Sequence, residues 1–405
     1  MKENAYFDNA ATTWPKPECV YEYMDSFFRS HGVNPGRSGS LLAMEAEQMI
    51  TETRNMLAQF FGFSGASGRV VFTLNGTDAL NIAIGSLVPA NGHMIITRIE
   101  HNAVLRTANH LQRDNGVSVT RIGAGEDGYV SAQSIADAIT PATSVIVLNH
   151  ASNVTGLVQP LGEVADVARK ANIPLVVDAA QTAGVIPIDM DELGIGVLTF
   201  PGHKGLFGPM GVGGMIVSEK LDIQPMRFGG TGVNSISDYQ PDEYPWHLEA
   251  GTVPLPGIAG LHAAQLWFRE LGVGLAKKHA LEADGAKQCQ LAVNHIHDVE
   301  LALLKQIEDK LRLSNRVRIV GEPRDAARVA TLSFTIEGMA TEEVADRLDA
   351  DYQIVARAGL QCAPLVHVDA GTVDTGGTLR LSPGFFTDEE DMQQLMAALD
   401  DILSD

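Results

Sequence analysis

The sequence predicts an α/β fold, a mainly parallel sheet between helices followed by a smaller α+β unit. Three observations lead there. From about residue 70, short β-branched runs that are almost wholly apolar alternate with amphipathic stretches. Polar residues gather where each apolar run ends. After EAGTVPLPGIAGL (249–261) the texture changes to stretches rich in Ala, Leu and charge. Strands that are apolar on both faces need helices on both sides, as in parallel sheets built from βαβ units.

The elements follow in order. RVVFT (69–73) reads as a strand and TDALNIAIGSLV as its helix. HMIIT (93–97) precedes the helical HNAVLRTANHLQR, and SVIVLNH (144–150) precedes LGEVADVARKAN. IPLVVDAAQ (173–181), GVLTF (196–200) and GVGGMIVS (211–218) are further strands. One long helical region is expected over roughly 258–312. A strand-helix pair, VATLSFTIEG (329–338) and TEEVADRLDA, comes next. RAGLQCAPLVH (357–367) is too broken by Gly and Pro for helix. GTLRLSPG (377–384) is a strand, and the last helix starts at Thr387 with a good N-cap and an acidic first turn. The expected domains are a large one over 16–257 and a small α+β one over 258–405, with the segment 1–15 packing near the latter.

Bulk properties exclude several classes. A formal net charge of −21 argues against nucleic acid and against anionic membrane surfaces. The three cysteines, Cys19, Cys289 and Cys362, form neither a disulfide framework nor a CxxC pattern. No signal core precedes DNAATT and no apolar run approaches spanning length, so a reducing cytoplasm is expected. HExxH, P-loop and zinc spacings are absent, so no metal is expected.

Open α/β sheets bind ligands beyond the carboxyl ends of their strands, so the polar clusters there should converge on one crevice. They run from Thr73 to Thr77, at Glu100 and His101, from Asn149 to Asn153, from Asp178 to Gln181, and at His203 and Lys204. In FPGHKGLFGPMGVGG (200–214), Lys204 follows a buried strand end, where a desolvated amine suits Schiff-base chemistry. An exposed turn lysine is the bland alternative. Asp178 ends the apolar LVVD, a costly place for a carboxylate without a cation. A Schiff-base lysine with an aspartate for a pyridinium nitrogen points to pyridoxal phosphate, and Gly76 and Thr77 supply a helix N-terminus for its phosphate.

The motifs YFDNAATTWPKP, NPGRSGS, NGTDALN, EHNAVL, NHASNVTG, DAAQTAG, GHKGLFGPMG, EAGTVPLPGIAGL, RAGLQCAPLVH and LRLSPGFFT run almost end to end. In them the chain resembles class V, fold-type I pyridoxal-phosphate enzymes, most closely the cysteine desulfurase and selenocysteine lyase group. The resemblance implies a seven-stranded sheet and a role for each matching residue. Lys204 resembles the cofactor lysine that shuttles the α-proton, Asp178 the partner of the pyridine nitrogen, and Gln181 the donor to the ring oxygen. His101 matches the histidine stacked on the ring, also an acid/base candidate, and Asn153 a residue near ring oxygen and substrate. Thr77, His203 and, from a neighbouring subunit, Thr252 resemble phosphate ligands. Arg380 matches the clamp of the substrate carboxylate, Arg357 is a further substrate-binding candidate, and Arg37 is a candidate to reach the crevice.

The same resemblance gives Cys362 the role of nucleophile on the sulfur of bound L-cysteine, leaving a persulfide and alanine, with Arg357 or a histidine favouring its thiolate. It further implies a homodimer and an acceptor protein for the sulfur. Selenocysteine lyase and class V aminotransferase activity with Cys362 incidental are the alternatives, and a retired enzyme serving as a scaffold is a third. Cys19 and Cys289 read as packing residues, and His367 as a solvated loop histidine. Four residues depart from the pattern: Pro201 in place of serine or threonine, Ser40 and Gln361 in place of histidine, and Phe386 in place of asparagine. Pro201 removes a hydroxyl from the expected phosphate cup.

Overall fold

The computed structural model describes residues 4–36, 39–321 and 327–404, so the candidate Arg37 lies outside the described residues. The chain opens with β1 (Ala5–Tyr6) and two helices, α1 (Glu18–His31) and α2 (Leu41–Phe60). Alternation follows: β2 (Val70–Thr73), α3 (Gly76–Leu87), β3 (His93–Thr97), α4 (Asn102–Asn115), β4 (Ser118–Ile122) and α5 (Ala132–Asp137). It continues through β5 (Thr143–Asn149), α6 (Leu161–Ala171), β6 (Leu175–Asp178), α7 (Met190–Leu193), β7 (Val197–Pro201) and β8 (Gly213–Val217). Two long helices come next, α8 (Leu255–Lys278) and α9 (Gly285–Leu311). The remainder is β9 (Val317–Val320), β10 (Leu332–Ile336), α10 (Thr341–Tyr352), β11 (Ile354–Val355), α11 (Pro364–Ala370), β12 (Leu379–Leu381) and α12 (Glu389–Ser404).

Strands β2 to β8 form a seven-stranded sheet in the order β2-β8-β7-β6-β5-β3-β4. All pairs are parallel except those that β8 makes with β2 and β7. The near-continuous apolar strands now have a reason. Ile95, Ile146, Leu148, Val177 and Leu198 feed one core beneath α2, α6 and α8, while Met94, Val145, Val147, Val176 and Val197 feed a second beneath α3 and α4. Each such side chain gains roughly 1.5–3 kcal/mol from full burial, which fixes register because a one-residue slip would only exchange the two cores' contents for misfitting ones.

A third core holds the small sheet β12-β10-β9 against α9, α10 and α12. The N-terminal segment belongs to it: β1 runs parallel to β11, and Ala5 and Phe7 are buried there. Cys19 and Cys289 pack on a fourth cluster between α1, α8 and α9, as packing residues should.

Several expectations need correction. The long helical region expected over 258–312 is divided into two helices, because Ala280 adopts φ +52° and the Asp284 side chain accepts from Lys287 N to start α9. The pair crosses closely at Gly272, where a Cβ would collide with Gln288 O. RAGLQCAPLVH is not helix-free. Pro364 opens α11, since the first helical position needs no N–H. The last helix begins at Glu389, not Thr387, because Asp388 and Asp391 each accept from the other's backbone N–H. Strands β4 and β9 were not among the expected elements; both are edge strands, and polar residues interrupt their apolar ones. No helix of the described residues is long and apolar enough to cross a membrane.

Candidate active site

Strands β5, β6 and β7 end side by side, with Asn149 paired to Asp178 and Asp178 to Thr199. Beyond these ends lies a cavity of about 340 Å³. Asp178, His101, Asn153, Gln181, His203 and Lys204 all line it, as do Gly76 and Thr77 at the start of α3. Arg357, Cys362 and Arg380 close it from the small unit. Thr252 is not among them. It is exposed and lines a separate cavity of about 350 Å³ with Arg54, Trp246 and Glu249.

Local structure explains each position. Asn75 caps α3 by accepting from Asp78 N, which leaves the N–H groups of Gly76 and Thr77 free for an anion. His101 caps α4 through its Nδ1, which accepts from Ala103 N at 3.0 Å, so the ring proton sits on Nε2. Burial first, then the charges of Lys204 and Arg106, push His101 down to about 4, so the ring is neutral at ordinary pH. The turn after Gln181 lies backbone-on-backbone against the turn after Lys204. At Gly184, with φ +82°, a Cβ would collide with Gly205 O.

Burial raises the carboxyl of Asp178 and lowers the amine of Lys204 to about 8, each opposed by the other's charge. A buried acid and a buried amine thus share one cavity, the arrangement that enables a proton-shuttling nucleophilic amine. Behind them Glu100 is buried and pushed up to about 8. Its Oε1 accepts from Thr97 and Asn149 N, while its Oε2 has no partner. Among the described residues no group of three His, Cys, Asp or Glu gathers as a metal site.

The strand-helix pattern carried no signal for the N-terminal clamp. His203 O accepts from Lys16 Nζ at 2.6 Å, Thr12 Oγ1 at 3.0 Å and Thr13 N at 3.2 Å. Thr13 Oγ1 also donates to Lys204 O at 3.0 Å. These residues lie in YFDNAATTWPKP, a motif legible in the sequence but given no role there. Asp8 is a second omission: its carboxylate joins Arg357 and Arg380.

Cys362 is exposed and stands at φ +58°, directly after Gln361 at φ +41°. Two successive left-handed residues need external support. Asn153 Nδ2 donates to Gln361 O at 2.5 Å and Asn102 N to Cys362 O at 2.7 Å. Contrary to the expectation of a solvated loop histidine, His367 is shielded from solvent. It is buried on α11, with Nδ1 2.9 Å from Thr372 Oγ1 and Nε2 2.9 Å from Gln361 Oε1. The other departures have local reasons. Ser40 caps α2 by accepting from Ala43 N, and Phe386 packs on Phe207, Trp267 and Phe385. Pro201 ends β7 on the cavity wall, where its ring leaves only van der Waals room for a Cβ at Gly76.

The chain is similar to known proteins along almost its whole length. The family model "Aminotransferase class-V" matches residues 5–292 and 285–395. The chain is 30% identical to a probable cysteine desulfurase of Methanothermobacter thermautotrophicus, over 99% of this chain and 95% of the relative. Among solved structures, the apo cysteine desulfurase of Thermococcus onnurineus superposes with a TM-score of 0.87 at 26% identity, covering 99% of this chain and 95% of that one. The Escherichia coli cysteine desulfurase CsdA gives a TM-score of 0.83 at 26% identity, with 99% and 95% covered.

Proposed function

The chain belongs to the class-V aminotransferase family, and from that premise we propose that it is a pyridoxal 5'-phosphate-dependent cysteine desulfurase. It takes L-cysteine, releases L-alanine and keeps the sulfur as a persulfide on Cys362. The observation that carries this is an exposed thiol, Cys362, on the same cavity as Lys204 and the buried Asp178.

The residues present fit the cofactor. His203 Nδ1 and Asn153 Oδ1 are buried on the cavity wall without a partner, and the free N–H groups at Gly76 and Thr77 suit a phosphate. Asp178 would hold the pyridine nitrogen, His101 the ring face and Gln181 the ring oxygen, where Gln181 has a second N–H beyond the one given to Ala10 O. Lys204 would carry the group. When bound, pyridoxal phosphate supplies an electron sink that loosens the bonds of an attached amino acid. Arg380 and Arg357 receive the substrate carboxylate, a task for which a planar guanidinium is suited. Lys204 Nζ, lowered to about 8, takes the α-proton and returns protons to the carbon skeleton. The thiolate of Cys362 attacks the substrate sulfur: an S–S bond forms, the C–S bond breaks, and the electron pair stays on carbon to be protonated. The sum is cysteine plus thiol giving alanine plus persulfide.

Thr252, exposed on this subunit, reaches the phosphate of a second copy, which makes the enzyme a homodimer. Two domains are assigned, 16–257 and 258–405 with 1–15 attached to the second; α8 spans the boundary, and its Leu255, Ile258, Ala259 and Leu261 pack into the core of the first. The proposed chemistry needs a reduced Cys362, so a reducing cytoplasm is its proposed compartment, with a carrier protein to collect the sulfur from the exposed thiol. The deciding experiment is alanine release from L-cysteine by the cofactor-loaded protein and by Cys362→Ser. Alanine from the wild type alone supports the assignment. Equal release by both, or by neither, overturns it in favour of selenocysteine or an amino-acid/keto-acid pair as substrate.

A further inference from the structure

Arg357 and Arg380 are cross-strand neighbours, their backbones exchanging hydrogen bonds of 3.3 and 2.7 Å. Like charges held opposite one another repel. Between them stands Asp8, only 5% exposed. Its Oδ1 accepts from Arg380 Nη2 at 2.6 Å, and its Oδ2 from Arg357 Nε at 2.9 Å and Nη2 at 2.8 Å. Arg380 is buried as well, donates Nη1 to Asn153 O at 3.0 Å, and leaves Nε without a partner. Two positive charges and one negative charge therefore meet at the cavity wall, with unspent donors on the cationic side. The sum is a single net positive charge.

We propose that Asp8 sets the charge selectivity of this pocket, cancelling one of two guanidinium charges so that a monocarboxylate amino acid is accepted and a dicarboxylate is not. This rests on the assignment of Arg357 and Arg380 to the substrate carboxylate. Asp8 touches no substrate and acts through the arginines, as a positioning and specificity-determining residue. A dianion in the wild-type pocket meets one net charge and leaves its second carboxylate uncompensated and desolvated. Without Asp8 the second guanidinium becomes its partner.

The test is equilibrium binding of propionate and succinate to the cofactor-loaded protein, with kcat and KM for L-cysteine measured beside it. Asp8→Asn should raise the preference for succinate over propionate by about tenfold or more, the scale of one added charge at close range. Its kcat/KM for cysteine should fall as Arg380 loses its anchor. Asp8→Glu keeps the charge and should return the binding ratio to the wild-type value. Arg357→Gln removes one cation from a half-exposed position and should shift the ratio the opposite way, weakening succinate more than propionate. If Asp8→Asn and Arg357→Gln weaken both acids in parallel, Asp8 has only a structural role and the inference is overturned. A ratio that moves as stated, with no alanine formed by the wild type, would keep the inference and remove the desulfurase assignment.

Discussion

His367 Nε2 lies 2.9 Å from Gln361 Oε1, and this buried contact joins α11 to the residue that precedes Cys362. Gln361 Nε2 in turn donates to Thr378 O at 2.7 Å. The network holds Gln361 and Cys362 in left-handed conformations that their side chains disfavour. His367→Ala leaves Gln361 Oε1 and Thr372 Oγ1 without this partner and should cost about 1–3 kcal/mol of stability, read from denaturant midpoints. Turnover should fall by about 10–100-fold as the thiol loses its approach geometry. Alkylation of Cys362 by a small reagent should barely change, since the thiol is already exposed. Loss of alkylation together with turnover would contradict this division.

Lys204 should titrate near 8 in the cofactor-free protein. Burial disfavours the charged amine, so the neutral form that reacts with an aldehyde accumulates as pH rises through about 8 instead of above 10. The rate of pyridoxal phosphate uptake, followed by absorbance, should climb across this range and level off above it. Asp178 pushes the amine up, so Asp178→Ala should move the midpoint lower. An uptake rate still rising steeply at pH 10 would refute the desolvated amine.

The sheet was legible because its strands bury both faces. Val145 to Leu148 alternate between two cores, which leaves no polar residue to blur the run. Polar residues at strand ends then stood out against that background, which is why Asp178 and His101 could be placed beforehand. Asp8, Lys16 and Gln361 could not, for a different reason. Their partners, Arg380, His203 O and His367, are set by how the N-terminal segment and the small unit close over the strand ends. Nothing periodic records such contacts. The helix α11 was hidden because Pro364 reads as a breaker unless it is known to stand at the first turn.

Lys16 offers a test of the N-terminal clamp. Burial lowers its amine to about 7, well below the value of an unfolded lysine. Between pH 7 and about 10.4 the unfolded chain therefore binds more protons at this residue than the folded one, so this group's contribution to stability rises with pH. Below 7 both states are protonated and the burial penalty is felt in full. Lys16→Met should relieve that penalty, so its melting temperature relative to wild type should be more favourable at pH 6 than at pH 9.5. The reverse order would mean that the bonds to His203 O and Thr13 Oγ1 outweigh desolvation. In the same variant Lys204 loses the pin on its preceding carbonyl, and kcat should drop while KM for cysteine changes little.

Pro201 gives the last prediction, because it lines the cavity proposed for the cofactor and has no assigned part in the reaction. It stands on the cavity wall beside Gly76 and opposite Gly213, at the last residue of β7. Proline brings no donor, side chain or backbone, to a wall where Gly76 and Thr77 otherwise offer theirs. Serine at this position fits, since it is smaller than proline and the β7 backbone is extended. The added hydroxyl would face the phosphate-binding end of the cavity. Pro201→Ser should tighten pyridoxal phosphate binding by about 2–10-fold, the net worth of one hydrogen bond. The matching control is pyridoxal, which has no phosphate and should bind both proteins equally. Tightening of both ligands would trace the gain to a relaxed backbone, and tightening of neither would show that the phosphate end is already saturated by α3 and His203.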